Sequence, residues 1–287
     1  MERLVTGTRA GRALARRFVA GETLDEAVLV ARQLNAAGLA VSLDLVGEEV
    51  HDRDSAHRAT EEYLGCLDRI AGESLRSNIS VKPTQLGLAI DEAMAGDAIN
   101  RLAERAAEQG TTVTIDMEDS RYTEGTIRLF EKSQPVHGNL GIALQAYLHR
   151  TPSDLRRLAP MGGHIRLCKG AYVEPEEVAL TSKSAVDEAF GRLLRDVMGM
   201  EETMPAVATH DLSLVNLAKA LATARDGPFE FQMLYGVRPD LQRSLVGEGY
   251  PLRIYLPFGS QWYPYLTRRL AERPANVWFF LKNLFGR

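Results

Sequence analysis

The chain is predicted to be an α/β protein, a (β/α)8 TIM-type barrel with extra helices at its N- and C-terminal ends. Three observations carry this. Eight short apolar runs recur along 287 residues: Ala40–Leu45, Asn78–Val81, Thr112–Ile115, Leu140–Leu144, His164–Leu167, Ala206–Ala208, Phe229–Leu234 and Leu252–Leu256. Stretches with helical spacing separate most of them, and strand–helix alternation of this kind closes into a parallel barrel. Nearly every run carries or leads into a residue capable of chemistry (Asp44, Lys82, Asp116, Gln145, Arg166, Thr209, Gln232, Tyr255), and barrel enzymes collect their reacting groups at the strand C-termini.

Taken in order, Thr8–Gly21 holds Arg9, Arg12, Arg16 and Arg17 beside Leu14, Phe18 and Val19, a basic amphipathic helix that either closes the barrel or meets an anionic membrane surface. Thr23 and Glu26 form a capping box for a helix over Leu24–Ala37, which Gly38 stops. Strand one follows over Leu39–Val46, then a helix over Ser55–Gly72 and strand two over Asn78–Val81, ended by Pro83 because proline lacks the ladder N–H. A third helix is expected over Asp97–Gln109 with Asp97 as its cap, strand three over Thr112–Asp116, and helix four over Tyr122–Lys132. Strand four spans Gly138–Leu144, and a short helix capped at Thr151 has Pro152 in its first turn. Strand five ends in Arg166-Leu167-Cys168-Lys169-Gly170-Ala171-Tyr172, and the long loop Val173–Ser182 has room to cover a ligand. Helix Lys183–Met198, strand Pro205–Thr209, helix Leu212–Ala224, strand Phe229–Leu234, helix Pro239–Gly247 and strand Leu252–Leu256 complete the alternation. Trp262–Arg273 and Asn276–Phe285 read as two further helices parted by Pro274. No linker or low-complexity tract appears, so residues 1–287 read as one domain.

The composition narrows the function. Apolar residues make up 45%, enough for a substantial core, and the net charge of −4 gives no general reason to expect nucleic acid. No run is long enough to cross a membrane and no apolar signal core follows the N-terminal arginines, so a cytoplasmic location is expected. Two distant cysteines make neither a metal motif nor a disulfide framework, and no metal site is expected. Nucleotide-binding glycine fingerprints, the nucleophile elbow G-x-S-x-G and H-E-x-x-H are all missing, which disfavours Rossmann, P-loop and common hydrolase chemistry.

What remains is a set of single polar residues on different strands. Arg268 and Arg269 sit beside each other on a predicted helix with Glu272 at i+4 and i+3; the pair suits a carboxylate, or is an ordinary surface ion-pair cluster. Lys82 and Asp116 end adjacent strands and form either a substrate-positioning pair or a structural salt bridge. Arg166 and Lys169 make a cationic edge suited to a pyrophosphate or an electron-rich ring. His210 is either a ligand to such a group or a satisfied histidine, and Tyr255 and Tyr265 are aromatic walls or ordinary buried tyrosines.

Several blocks then resemble the proline dehydrogenases: Val81-Lys82-Pro83-Thr84-Gln85-Leu86-Gly87, the Arg166–Tyr172 segment, Ala208-Thr209-His210-Asp211, Glu230-Phe231-Gln232-Met233-Leu234-Tyr235-Gly236, Arg253–Gly259 and Trp262–Asn276. They fall in the family's order and span the chain, in its short monofunctional bacterial form. The resemblance implies a distorted barrel that binds FAD non-covalently and oxidises L-proline to Δ1-pyrroline-5-carboxylate by hydride transfer, the first step of proline catabolism to glutamate. It implies electron transfer to a membrane quinone, with peripheral contact at the inner face of the cell membrane and a separate pyrroline-5-carboxylate dehydrogenase downstream. Carried over by position, Arg268, Arg269 and Lys82 would hold the proline carboxylate, oriented by Glu272. Asp116 would organise the cluster, Tyr255 and Tyr265 would wall the ring, and Leu234 would pack on it. Arg166 would sit near the reactive flavin nitrogen, with Met117, Gln145, Lys169, Gly170, Ala171, Thr209 and His210 around the cofactor. Asp116 and Arg166 would then be the catalytic residues. Cys168 and Ser260 depart mildly from the family's usual valine and threonine. Two other classes stay in view: a flavin-free lyase using Lys82 as a Schiff base, and a non-catalytic barrel scaffold. Within the family, hydroxyproline is the alternative substrate.

Overall fold

The structure is a computed structural model that describes residues 15–47 and 49–271, with side chains up to 267. Helix α1 (Leu24–Ala36) starts at Thr23, whose hydroxyl accepts the Glu26 N–H while the Glu26 side chain returns to the Thr23 N–H, the reciprocal cap foreseen from the sequence. The order continues β1 (Ala40–Leu45), α2 (Arg53–Gly72), β2 (Ser77–Val81), α3 (Glu92–Glu108), β3 (Val113–Ile115), α4 (Ser120–His137), β4 (Leu140–Gln145) and α5 (Thr151–Leu158). A 3-10 turn precedes β5 (His164–Cys168), followed by α6 (Lys183–Met198), β6 (Met204–Ala208), α7 (Leu212–Ala222), β7 (Glu230–Leu234), α8 (Pro239–Gly247), β8 (Leu252–Phe258) and α9 (Trp262–Ala271). The eight strands are parallel and close in sequence order, with β8 pairing back onto β1 from Ala40↔Arg253 to Leu45↔Phe258.

Four expectations about the helices are corrected. α3 begins five residues earlier than expected because Asp91, not Asp97, supplies the cap, its carboxylate accepting the Ala93 N–H at 3.0 Å. α4 starts at Ser120 under an Asp119 cap and runs through Pro135 to His137. One missing N–H in the last turn is tolerated there, and Gly138 at φ 71° ends the helix. Thr151 is inside α5 rather than capping it: Arg150 holds the cap position without a side-chain bond, while the Thr151 hydroxyl donates to the Gln145 carbonyl at 2.5 Å. α7 stops at Ala222, two residues short of the expected end.

Each strand alternates strictly. Val41, Leu43, Ile79, Val81, Val113, Ile115, Ile142, Leu144, Ile165, Leu167, Phe231, Ile254 and Leu256 are buried in the layer between sheet and helices. The intervening positions face the barrel axis, and many are polar: Ser42, Asn78, Ser80, Thr114, His164, Arg166, Glu230 and Gln232, all 8% exposed or less. Hydrogen bonds between non-adjacent strands, such as Thr114 with His164 and Arg166 with Ser80, fix that inward direction. The axis therefore holds a buried polar column where barrels commonly stack branched apolar side chains. Gly141 makes room for it: a Cβ there would come within 2.1 Å of the His164 ring. Among the described residues no helix is long and apolar enough to cross a membrane. The N-terminal helix expected over Thr8–Gly21 lies mostly, and the helix expected over Asn276–Phe285 wholly, outside the described residues.

Candidate active site

At the strand C-termini the polar column opens into a cavity of about 550 Å3. Its floor is polar (Lys82, Asp116, Arg166, Gln232, Tyr255) and part of its wall is apolar (Met117, Ala143, Ala171, Met233, Leu234). Tyr172, His210 and Tyr265 also line the cavity, and α9 packs its Trp262, Tyr265 and Leu266 with Phe18, Val19 and Val46.

Four charged groups share the floor. The Lys82 ammonium donates to Asp44, lies 3.9 Å from Asp116, and donates to the Tyr255 oxygen at 3.3 Å. The Arg166 guanidinium pairs with Asp116 through Nη1, which also donates to Ser80 Oγ at 2.9 Å. Ser80 and Tyr255 each donate to Asp116 at 2.7 Å, so one carboxylate gathers three strands. Two cations face two carboxylates, which is how a buried cluster of this density avoids an uncompensated charge. Burial pushes the Asp44 carboxyl upward; Lys82 draws it back and Asp116 adds to the rise. Burial likewise lifts the Tyr255 hydroxyl well above its ordinary value, with Asp116 and Asp44 reinforcing it, so Tyr255 serves as a neutral donor. Tyr255 also lies under the Arg166 guanidinium, 5.2 Å from ring centre to carbon.

The expected Lys82–Asp116 contact exists, but the shorter bond of each goes elsewhere, Lys82 to Asp44 and Asp116 to Arg166. Asp44 and Gln232 stand out in the sequence as strand residues capable of chemistry but without a role, and Ser80 does not stand out at all. The available signal was period-two spacing: in strands buried on both faces, any polar residue at an inward position is anomalous.

The expected cationic edge is neutralised on both members. Lys169 is held between Asp187, on α6, and Asp211, which caps α7; burial pushes both carboxyls up, but Lys169, joined at Asp187 by Lys183, brings them below their ordinary values. Gln145 spends its amide on the backbone, donating to the Glu118 carbonyl at 2.8 Å and accepting the Ala171 N–H at 3.2 Å, which fixes the loops after β3 and β5 against each other. His210 Nε2 accepts the Leu234 N–H at 3.0 Å and Thr209 Oγ1 accepts the Asp211 N–H at 3.1 Å, so both brace the mouth as well as line it. Gly170, at φ 130°, presses on the Tyr147 ring, which a Cβ would approach to 2.4 Å. Cys168 donates to the Leu144 carbonyl, and burial lifts its thiol to about 12, leaving it unreactive as a thiolate. The backbone of α9 passes through positions 268 and 269; the side chains of Arg268 and Arg269, and all of Glu272, lie outside the described residues.

One donor on the floor is unspent. Arg166 Nη2 is buried and has no hydrogen-bond partner among the described residues, although Nε and Nη1 are both engaged. A buried guanidinium N–H without an acceptor is costly, and an electron-rich ring edge or an anion reaching it would satisfy it. Charged and apolar residues share the lining, so the cavity offers both kinds of partner to a ring system. Among the described residues no group of three or more potential metal ligands occurs.

The sequence matches the family described as Proline dehydrogenase over residues 27–281. It is 38% identical over 281 residues to Proline dehydrogenase 1 of Bacillus subtilis (strain 168), covering 97% of this chain and 92% of that protein. Proline dehydrogenase of Deinococcus radiodurans is 34% identical over 281 residues, covering 94% and 90%. The crystal structure of proline utilization A from Bdellovibrio bacteriovorus, inactivated by N-propargylglycine, superposes with a TM-score of 0.85 at 23% identity. It covers 91% of this chain and 33% of that one, so this chain spans about a third of the solved protein and the likeness speaks to the fold. A family match over residues 27–281 together with relatives above 30% identity places the chain in the proline dehydrogenase family, and so among the oxidoreductases.

Proposed function

We propose that this protein is an FAD-dependent proline dehydrogenase that oxidises L-proline to Δ1-pyrroline-5-carboxylate, with electrons passing on to a membrane quinone. The observation that carries the reading is the buried floor of Lys82, Arg166, Asp44 and Asp116, with Arg166 Nη2 left without a partner beside an apolar wall. Hydride abstraction from a saturated ring requires an electron sink that no amino-acid side chain provides; FAD supplies that acceptor when bound. Arg166 Nη2 would meet its polar edge. Met117, Gln145, Lys169, Gly170, Ala171, Thr209 and His210 would hold the rest. Lys169 would reach an anionic group only by sharing its bonds to Asp187 and Asp211.

The chain's own residues then bind and orient. Lys82, Arg268 and Arg269 hold the substrate carboxylate and Glu272 orients the arginines. Tyr255, Tyr265 and Leu234 close on the ring and exclude water, and orienting the ring against its acceptor lowers the entropic part of the barrier. Asp116 keeps Arg166 and Tyr255 in place through the bonds described above. Residues 1–287 act as one domain in the cytoplasm, peripheral at the inner face of the cell membrane. The product passes to a pyrroline-5-carboxylate dehydrogenase.

The test is product formation. Purified protein supplied with FAD, L-proline and a soluble quinone should yield the cyclic imine, with D-proline a far poorer substrate. Absence of imine under these conditions would overturn the assignment.

A further inference from the structure

The polar column continues below the active-site floor. Gln232 Oε1 accepts Arg166 Nε–H at 2.5 Å, and Gln232 Nε2 donates to Glu230 Oε1 at 2.7 Å. Arg253 grips Glu230 through two bonds, at 2.7 and 3.1 Å, and is itself anchored to the Val41 carbonyl at 2.9 Å. These residues alternate along β7 and β8 in register, Gln232 beside Arg253, so the contacts follow from the pairing of the strands. Glu230 and Arg253 line a separate cavity of about 790 Å3 at the opposite end of the barrel and do not line the mouth cavity.

A carboxamide can present either its oxygen or its NH2 group, and Arg166 Nε–H tolerates only the oxygen. A carboxylate accepts and never donates, so an ionised Glu230 compels Gln232 to turn its NH2 downward and its oxygen toward Arg166. Burial would raise the Glu230 carboxyl, but Arg253 and the Gln232 amide bring it below its ordinary value, so it stays ionised. The guanidinium is planar: once Nε is bound to Gln232 and Nη1 to Asp116 and Ser80, the direction of Nη2 is set.

We propose that Gln232 is a positioning residue that aims Arg166 into the active-site cavity, and that the Glu230–Arg253 pair on the barrel floor sets the sense of its amide. The proposal rests on the flavin reading above for its consequence in the holoenzyme. If Arg166 Nη2 meets the electron-rich edge of the reduced cofactor, loosening Arg166 weakens binding of the reduced form relative to the oxidised form. A tenfold relative weakening is about 30 mV for a two-electron couple.

Three variants test this in the flavin-loaded protein: Gln232→Leu, Glu230→Gln, and the exchanged pair E230Q/Q232E. Gln232→Leu and Glu230→Gln should each lower kcat by about tenfold with the proline KM held within threefold, and make the flavin potential about 30 mV more negative. The exchanged pair, which restores an acceptor-only group beside Arg166, should recover most of both losses. A merely structural role would lower Tm without moving the potential. Wild-type potential in folded Gln232→Leu overturns the proposal, and so does a wild-type potential in folded Glu230→Gln. Should Glu230→Gln not fold, the exchanged pair decides, and a potential as negative as that of Gln232→Leu overturns it. In the flavin-free protein the Arg166 Nε–H should give a slowly exchanging 15N resonance that is lost in Gln232→Leu. A wild-type protein that binds no flavin would overturn the flavin reading alone, and the resonance then decides the positioning role.

Discussion

Replacing Asp116 with asparagine keeps the shape of the floor and removes one charge. In the parent protein Lys82 and Arg166 face Asp44 and Asp116, a formal sum of zero; the variant leaves +1 where Asp116 is only 8% exposed. Asp116 accepts from Arg166, from Ser80 at 2.7 Å and from Tyr255 at 2.7 Å, and asparagine retains one acceptor oxygen. Bonds to an ionised group are worth roughly 1.5–3 kcal/mol each, and breaking one partner of a buried pair costs roughly 3–5 kcal/mol in total because the remaining charge is stranded. For a chain of this size that corresponds to a fall in Tm of about 10 °C. Arg166 also loses the partner that fixes Nη1, so kcat/KM for proline should fall by about 100-fold, equivalent to about 2.7 kcal/mol of transition-state binding. Circular dichroism melts of the flavin-free protein and steady-state kinetics of the loaded protein read the two effects separately. An unchanged Tm would mean that the Asp116–Arg166 pair contributes nothing to stability, and a normal kcat/KM would remove Asp116 from the site.

Four further outcomes are expected. His164 is held near a pKa of about 3 by burial, against an ordinary value of 6.5. The unfolded chain therefore binds the extra proton first, and this residue's contribution to stability is complete above pH 6.5 and declines by about 1.4 kcal/mol per pH unit as pH falls toward 3. Tm measured from pH 7 to 5 should drop less steeply in His164→Gln, and parallel curves would refute the assignment. Gly141→Ala, which drives a Cβ to 2.1 Å from the His164 ring, should destabilise by roughly 1–3 kcal/mol in a denaturant titration; a neutral result would mean the column is not tightly packed. Arg268→Met and Arg269→Met should each raise the proline KM by about 10–100-fold with flavin retained, and unaltered kinetics in both would make the pair a surface feature. Tyr255 should select proline over trans-4-hydroxy-L-proline by about 10–100-fold in kcat/KM, because burying an unpartnered hydroxyl costs roughly 1–3 kcal/mol. Tyr255→Ser should narrow that gap, and a parent enzyme that uses both substrates equally removes Tyr255 as selector.

The barrel was legible because its outward strand faces are continuous Val, Ile and Leu while Gly and capping residues punctuate the helices; the Thr23–Glu26 box and α6 and α8 fall where the sequence puts them. The sequence misplaces the starts of α3 and α5 because Asp97 and Thr151 have capping chemistry, which helical burial of Ala95, Ala98 and Ile99 and the Thr151 bond to Gln145 outweigh. Lys82, Asp116, Arg166, Tyr255, Leu234 and His210 do converge on one cavity, as expected from strand ends sharing a face. Ser80, Glu230 and Arg253 carry no role in the sequence, and Asp44 and Gln232 show only as chemically capable strand residues, because their roles depend on partners on other strands 23 to 86 positions away. The neutralisation of Lys169 is of the same kind: Asp187 and Asp211 lie on α6 and at the start of α7, and only the closed barrel brings them to it.

On the proposed function, the cavity above Arg166 holds a flavin that L-proline reduces. The most direct test of this is the visible spectrum of the FAD-loaded protein during anaerobic titration with L-proline. The oxidised flavin band should bleach in proportion to bound flavin, while D-proline leaves it nearly intact. A protein that retains no flavin, or a bound flavin whose spectrum is unmoved by excess L-proline, would contradict the account.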